Sequence, residues 1–114
     1  MKQANTFFML SDETRLRALA LMDQEGELCV CELVHALELS QPKISRHMAA
    51  LRDTGLVVSN RRAQWVFYGI NPKLPHWQQR VITAAIEGIK SEAVITQDAS
   101  RLHKMKNRPI KTAA

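Results

Sequence analysis

Residues 40–70 read SQPKISRHMAALRDTGLVVSNRRAQWVFYGI, and their hydrophobic period changes once. That change constrains the fold more than any other feature of the chain. Up to Asp53 the apolar residues Ile44, Met48 and Leu51 fall at i, i+4 and i+7, the stripe of an amphipathic helix over Gln41–Asp53. Ser40 stands where an N-cap belongs, and Pro42 falls in the first turn, where its missing N–H costs nothing. Gly55 stops the helix. Beyond it the period is two. LVVSN and QWVFYGI, separated by Arg61–Ala63, predict a hairpin with Val66, Tyr68 and Ile70 on one face and Trp65 and Phe67 on the other.

The rest of the chain reads as helix. Ser11 is placed to cap a helix over about Asp12–Gln24, with Leu16, Leu19 and Ala20 on one face and Gly26 at its end. A short helix near Ala4–Leu10 precedes it. Another runs from Cys31 or Glu32 to Leu37, and the turn Glu38–Ser40 joins it to the capped helix. From His76 one long helix is expected to reach about Ile95, striped by Val81, Ile82, Ala85 and Ile89. Only 5% of the 114 residues are aromatic, which agrees with helix over an all-β sandwich. The expectation is a mainly α chain with a small β-hairpin (α+β), in which residues 1–96 form one domain. Residues 97–114 read as a basic, disordered tail, since Arg101–Ala114 holds five Lys/Arg and no acid.

Two short helices, a tight turn and a basic hairpin make a winged helix-turn-helix. The second helix then enters the major groove of double-stranded DNA. With Ile44, Met48 and Leu51 turned inward, Gln41, Lys43, Ser45, Arg46, His47 and Arg52 are left to meet bases and phosphates. Arg61, Arg62 and Gln64 supply the wing tip. A formal net charge of +5 suits a polyanionic partner. The long striped helix exceeds what so small a core needs. Trp77, Val81, Ile82, Ala85 and Ile89 are therefore expected to pair with a second copy, with Phe7 and Phe8 of the N-terminal helix beside them. No apolar run approaches the roughly 18 residues that span a bilayer, so no membrane partner is expected. The N-terminus does not read as a signal peptide, and the expected location is cytoplasmic. There thiols stay reduced, and Cys29 and Cys31 of GELCVCEL read as ligand or redox chemistry before structural disulfide.

An enzyme is not indicated. Ser45 and His47 diverge at i, i+2 on one helix, and no Gly-rich phosphate loop exists. A general chromosomal protein would suit the basic tail, but it predicts binding blind to sequence.

Together LSDETRLRAL, ELCVCEL, SQPKISRHMAALRDTGLV and QWVFYGINP resemble the ArsR/SmtB family, in its arsenical-resistance branch, over about residues 5–90. The resemblance implies a homodimeric winged-helix repressor on an inverted-repeat operator. It implies trivalent arsenic (arsenite) or antimony as inducer and no catalytic cofactor. Cys29 and Cys31 are the implied ligands. The best-known members carry a third cysteine where this chain has Val34. Soft thiolates suit such thiophilic ions. Helix-start logic puts Cys31 at the N-cap and Cys29 just outside the helix, with the thiols partly apart until chelation redraws the first turn. His35, four residues after Cys31, is a surface residue or a further ligand. A zinc- or cadmium-responsive repressor of the same fold would use His76 and Glu87, and a redox-responsive one would oxidise the two cysteines.

Overall fold

The computed structural model describes residues 1–109. In order they form α1 (Lys2–Leu10), α2 (Glu13–Glu25), β1 (Leu28–Cys29), α3 (Val30–Leu37), α4 (Gln41–Asp53), β2 (Val57–Arg62), β3 (Trp65–Ile70), α5 (His76–Ile89) and α6 (Ala93–Lys104). The expected helix-turn-helix is α3 and α4. Ser40 caps α4 by accepting from the Lys43 N–H, with Pro42 in the first turn. Glu38 closes α3 in the left-handed region at φ 55°, and Gly55 follows α4 at φ 83°. The wing is antiparallel, with Val57 opposite Ile70 and Arg62 opposite Trp65. That register leaves Ala63 and Gln64 as the turn, one step later than expected.

One core joins these elements. Leu19 of α2, Leu33 and Leu37 of α3, and Ile44, Met48 and Leu51 of α4 are fully buried together with Leu28, Leu56 and Phe67. Each such side chain contributes on the order of 1.5–3 kcal/mol by leaving water.

Several expectations are corrected. Asp12, not Ser11, caps α2: its carboxylate accepts from the Arg15 N–H, while the Ser11 hydroxyl donates to the Phe8 carbonyl. A third strand lies beside the wing, because Leu28 pairs with Tyr68 and Cys29 with Phe67. The long helix is two: α5 ends at Ile89, and α6 begins after the N-cap Glu92.

The tail expected from residue 97 is helix as far as Lys104. Leu102 is fully buried, and Asp98, 1% exposed, accepts from Arg17 at 2.7 and 2.9 Å and from Arg101 at 2.8 Å. The same arginines donate to the Leu37 and Ala36 carbonyls at the end of α3. The part of the expected tail over residues 110–114 lies outside the described residues. Ile82, expected at a subunit interface, is core at 3% exposure, because α5 turns it toward the body of the domain. Phe7 and Phe8 are exposed, and Trp77, Val81, Ala85 and Ile89 half-buried. The Gln78 amide of α5 donates to the Thr6 hydroxyl of α1, tying the two helices together. No helix among the described residues is long and apolar enough to cross a membrane.

Candidate nucleic-acid interface and thiol site

The start of α3 is built by a capping box. Its N-cap is Cys29, two residues before the position expected: the Cys29 sulfur accepts from the Glu32 N–H, and Glu32 Oε1 accepts from the Cys29 N–H at 2.9 Å. Val30 is therefore the first helical residue, and Cys31 sits in the first turn rather than at the cap. A residue at the cap is extended (Cys29 φ −79°, ψ 164°), so its side chain swings to the side that Cys31 occupies. The two Cα atoms are 5.4 Å apart and the sulfurs are bonded to each other. The two sulfurs thus meet as a disulfide with the helix already formed, contrary to the expectation of a reduced pair. Cys29 is fully buried and Cys31 half-buried.

The pair opens into a hollow of about 420 Å³. Gln41 and Ser45 of α4 line one side of it. Gln64, Trp65, Val66 and Tyr68 of the wing line another, and Val30 joins the cysteines. Among the described residues no third His, Cys, Asp or Glu joins the two sulfurs in a set of three. Val34 is half-buried in the apolar core and His35 is exposed. His76 and Glu87 share one face of α5 but lie eleven residues apart, about 16 Å along the helix, so within one chain they do not grip one ion.

The expected DNA-facing residues divide into three groups. Gln41, Lys43, Arg46 and Arg52 are exposed on α4, and Arg61 and Gln64 are exposed at the wing tip. Ser45 is half-buried and accepts from the Gln41 amide at 2.8 Å. Arg62 and His47 are engaged inside the chain. Arg62 pairs with Glu27 at 2.8 Å and lies over the Phe67 ring. Glu27 also accepts from Asn60, so it braces the wing against the loop before β1.

His47 turns toward the start of α2. Its Nδ1 is 3.2 Å from Nη1 of Arg15, and a guanidinium only donates, so Nδ1 is the accepting nitrogen. Its Nε2 faces Asp12 at 3.8 Å. Burial pushes the His47 pKa below its ordinary value. Asp12 draws it partly back, and Arg15, Lys43 and Arg46 add to the lowering. Burial raises Asp12, but the Arg15 backbone N–H and the charges of His47 and Arg15 outweigh it and leave the carboxyl low. Arg15 also donates to the Met9 and Phe8 carbonyls, and so joins α1, α2 and α4.

Sequence reasoning missed Arg15, Glu32, Asp98 and Arg108. For Glu32 a signal existed, because Cys-x-x-Glu has the capping-box spacing with sulfur in place of a hydroxyl. Asp98 had a near partner in Arg101 at i+3, but Arg17, which binds both of its oxygens, and the Arg108 partner Glu32 are remote in sequence and left no local mark.

Two capped helices across a tight turn, a basic wing and an exposed polar face on the second helix define a winged helix-turn-helix transcriptional regulator. Residues 12–59 match the bacterial regulatory protein, arsR family. The arsenic resistance transcriptional regulator ArsR1 of Pseudomonas putida is 47% identical over 103 residues, covering 90% of this chain and 79% of that protein. HlyU from Vibrio cholerae superposes with a TM-score of 0.61 at 37% identity, covering 77% of this chain and 87% of that one. The AntR antimony-specific transcriptional repressor superposes with a TM-score of 0.62 at 25% identity, covering 75% and 74%. The chain belongs to the arsR family of bacterial transcriptional regulators, and it is not an enzyme.

Proposed function

We propose that this chain is a metalloid-responsive repressor. It binds an inverted-repeat operator as a dimer and leaves it when Cys29 and Cys31 bind trivalent arsenic or antimony. One observation carries the reading: the two sulfurs and the DNA-facing residues Gln41, Ser45 and Gln64 line the same hollow. A group held by the sulfurs stands between the recognition helix and the wing. The names of the relatives, an arsenic resistance regulator and an antimony-specific repressor, support the choice of inducer.

In the reduced protein each thiol gives up its proton and its sulfur replaces one hydroxyl of arsenite, which leaves as water. Two such exchanges close a ring across Cys29–Cys31, and the third position keeps its hydroxyl or exchanges it for a small thiol with loss of a further water. Lys43, Arg46, Arg52 and Arg61 meet phosphates or guanine edges, while Gln41, Ser45 and Gln64 serve base edges nearer the hollow. Arg62 and His47 act from behind that face, bracing the wing and the recognition helix. Phe7, Phe8, Trp77, Val81, Ala85 and Ile89 supply the apolar surface of the dimer, which spaces two recognition helices about one DNA turn apart. The inducer acts through its different affinity for the bound and released geometries. A coupling of about 1–3 kcal/mol weakens operator binding roughly five- to 150-fold.

The test is a gel shift with reduced protein on an imperfect inverted repeat from upstream of its own coding region. Arsenite, antimonite, zinc, cadmium and an oxidant are titrated separately. Two chains per repeat and release by arsenite or antimonite are expected, with release lost in Cys29→Ser, Cys31→Ser protein. Release of that double variant by arsenite refutes the reading. The sulfur–sulfur bond favours one second reading, a redox-responsive repressor, in which the pair loses two electrons and two protons to an oxidant. That reading predicts release by the oxidant alone.

A further inference from the structure

The turn that holds both cysteines is anchored from the far end of the chain. The Glu32 side chain, 1% exposed, uses one carboxylate oxygen for the Cys29 N–H. Its other oxygen, Oε2, accepts from Arg108 Nε at 2.6 Å, across 76 positions of sequence. Arg108 follows α6, and its side chain is 29% exposed. A buried carboxylate is strongly disfavoured without a counter-charge, and Arg108 is the partner that supplies one here.

We propose that Arg108 is a positioning residue for the inducer site: it holds Glu32 in the capping box, and Glu32 holds Cys29 where its sulfur meets that of Cys31. The inference rests on the metalloid-sensing reading. Without Arg108 the Glu32 carboxylate turns toward water and the Cys29 N–H loses its acceptor. The turn then samples geometries in which the two sulfurs diverge, and the inducer must bear the ordering of that turn itself. Among the described residues, no hydrogen bond or ion pair joins this pair to the DNA-facing residues of α4 and the wing tip, so operator binding without inducer is left intact. The segment after α6 thus becomes part of the sensor.

The experiment compares arsenite-driven operator release by reduced full-length wild type, Arg108→Gln and Arg108→Lys, with thiolate–arsenic absorption as a second readout. Arg108→Gln is expected to need roughly ten-fold more arsenite, the scale of one lost charge-assisted hydrogen bond, with operator affinity unchanged within about two-fold. Arg108→Lys restores the charge and most of the response. Glu32→Gln carries the same test through the other partner. Its arsenite affinity falls, and adding Arg108→Gln to it costs no more than about a further two-fold. Arsenite release at the wild-type concentration in both single variants overturns the inference. So does an equal fall in operator affinity, which marks a general loss of fold. A wild type that ignores arsenite sinks the sensing reading as well, and an operator-competent, arsenite-responsive wild type separates the two failures.

Discussion

Removing the Asp98 carboxylate is expected to unfasten α6 from the helix-turn-helix. Asp98 accepts three hydrogen bonds, from Nε and Nη2 of Arg17 and Nη2 of Arg101. Both guanidiniums then reach onward to the Leu37 and Ala36 carbonyls, where α3 runs out of its own donors. In Asp98→Ala two arginine side chains, 12% and 28% exposed, lose their shared counter-charge. Breaking a buried pair from one side costs about 3–5 kcal/mol, and the partial exposure of Arg101 favours the lower end. A loss of about 3 kcal/mol lowers Tm by roughly 12 °C at about 4 °C per kcal/mol for a domain of this size. Urea unfolding followed by helical circular dichroism reads the change, with the midpoint moving and the slope m unchanged. Asp98→Asn keeps one oxygen acceptor and should lose less. A loss below about 1 kcal/mol in Asp98→Ala refutes the account of α6 as fastened through this node.

Two further outcomes follow from the recognition helix. Gly55→Ala places a methyl group in open space, so its cost is the backbone alone at φ 83°, about 1 kcal/mol, and a thermal melt with no downward shift contradicts it. His47 gives acid sensitivity. Its folded pKa lies below its unfolded value of about 6.5, so as pH falls the unfolded chain takes up the proton first. Stability present above about pH 6.5 is lost as pH falls through the lower folded value. His47→Gln should flatten that limb in urea midpoints measured between about pH 7 and 5, well above the range where Asp12 contributes.

What could be read without coordinates was what local chemistry announces. Ser40, Pro42 and Gly55 bracket α4 within a few residues, so its bounds Gln41–Asp53 were legible. The start of α3 was not, because a cysteine is a rare cap and its sulfur does the work of a hydroxyl. Strand β1 is two residues long, too short for any period, and only its partners Tyr68 and Phe67 make it a strand. The basic residues around Leu102 resembled a solvated tail. Yet Arg101 spends its charge on Asp98 and the end of α3, and Leu102 fills the core beneath. The polar face of α4 was legible by elimination. The turning of His47 toward Arg15 and Asp12, and of Arg62 onto Glu27, was not, because each rests on a contact distant in sequence.

The pairing of Cys29 with Phe67 bears on the order of events as the chain folds. The helices α2, α3 and α4 hold contacts near in sequence and can form early, but this strand pair must close a loop of 38 positions first. A ribosome has made the cysteines long before it makes the wing strand that aligns them. Until that strand docks, the local capping box with Glu32 is what orients Cys29 toward Cys31. The placement of the two sulfurs therefore depends on a long-range strand pair as well as on the local turn that carries them.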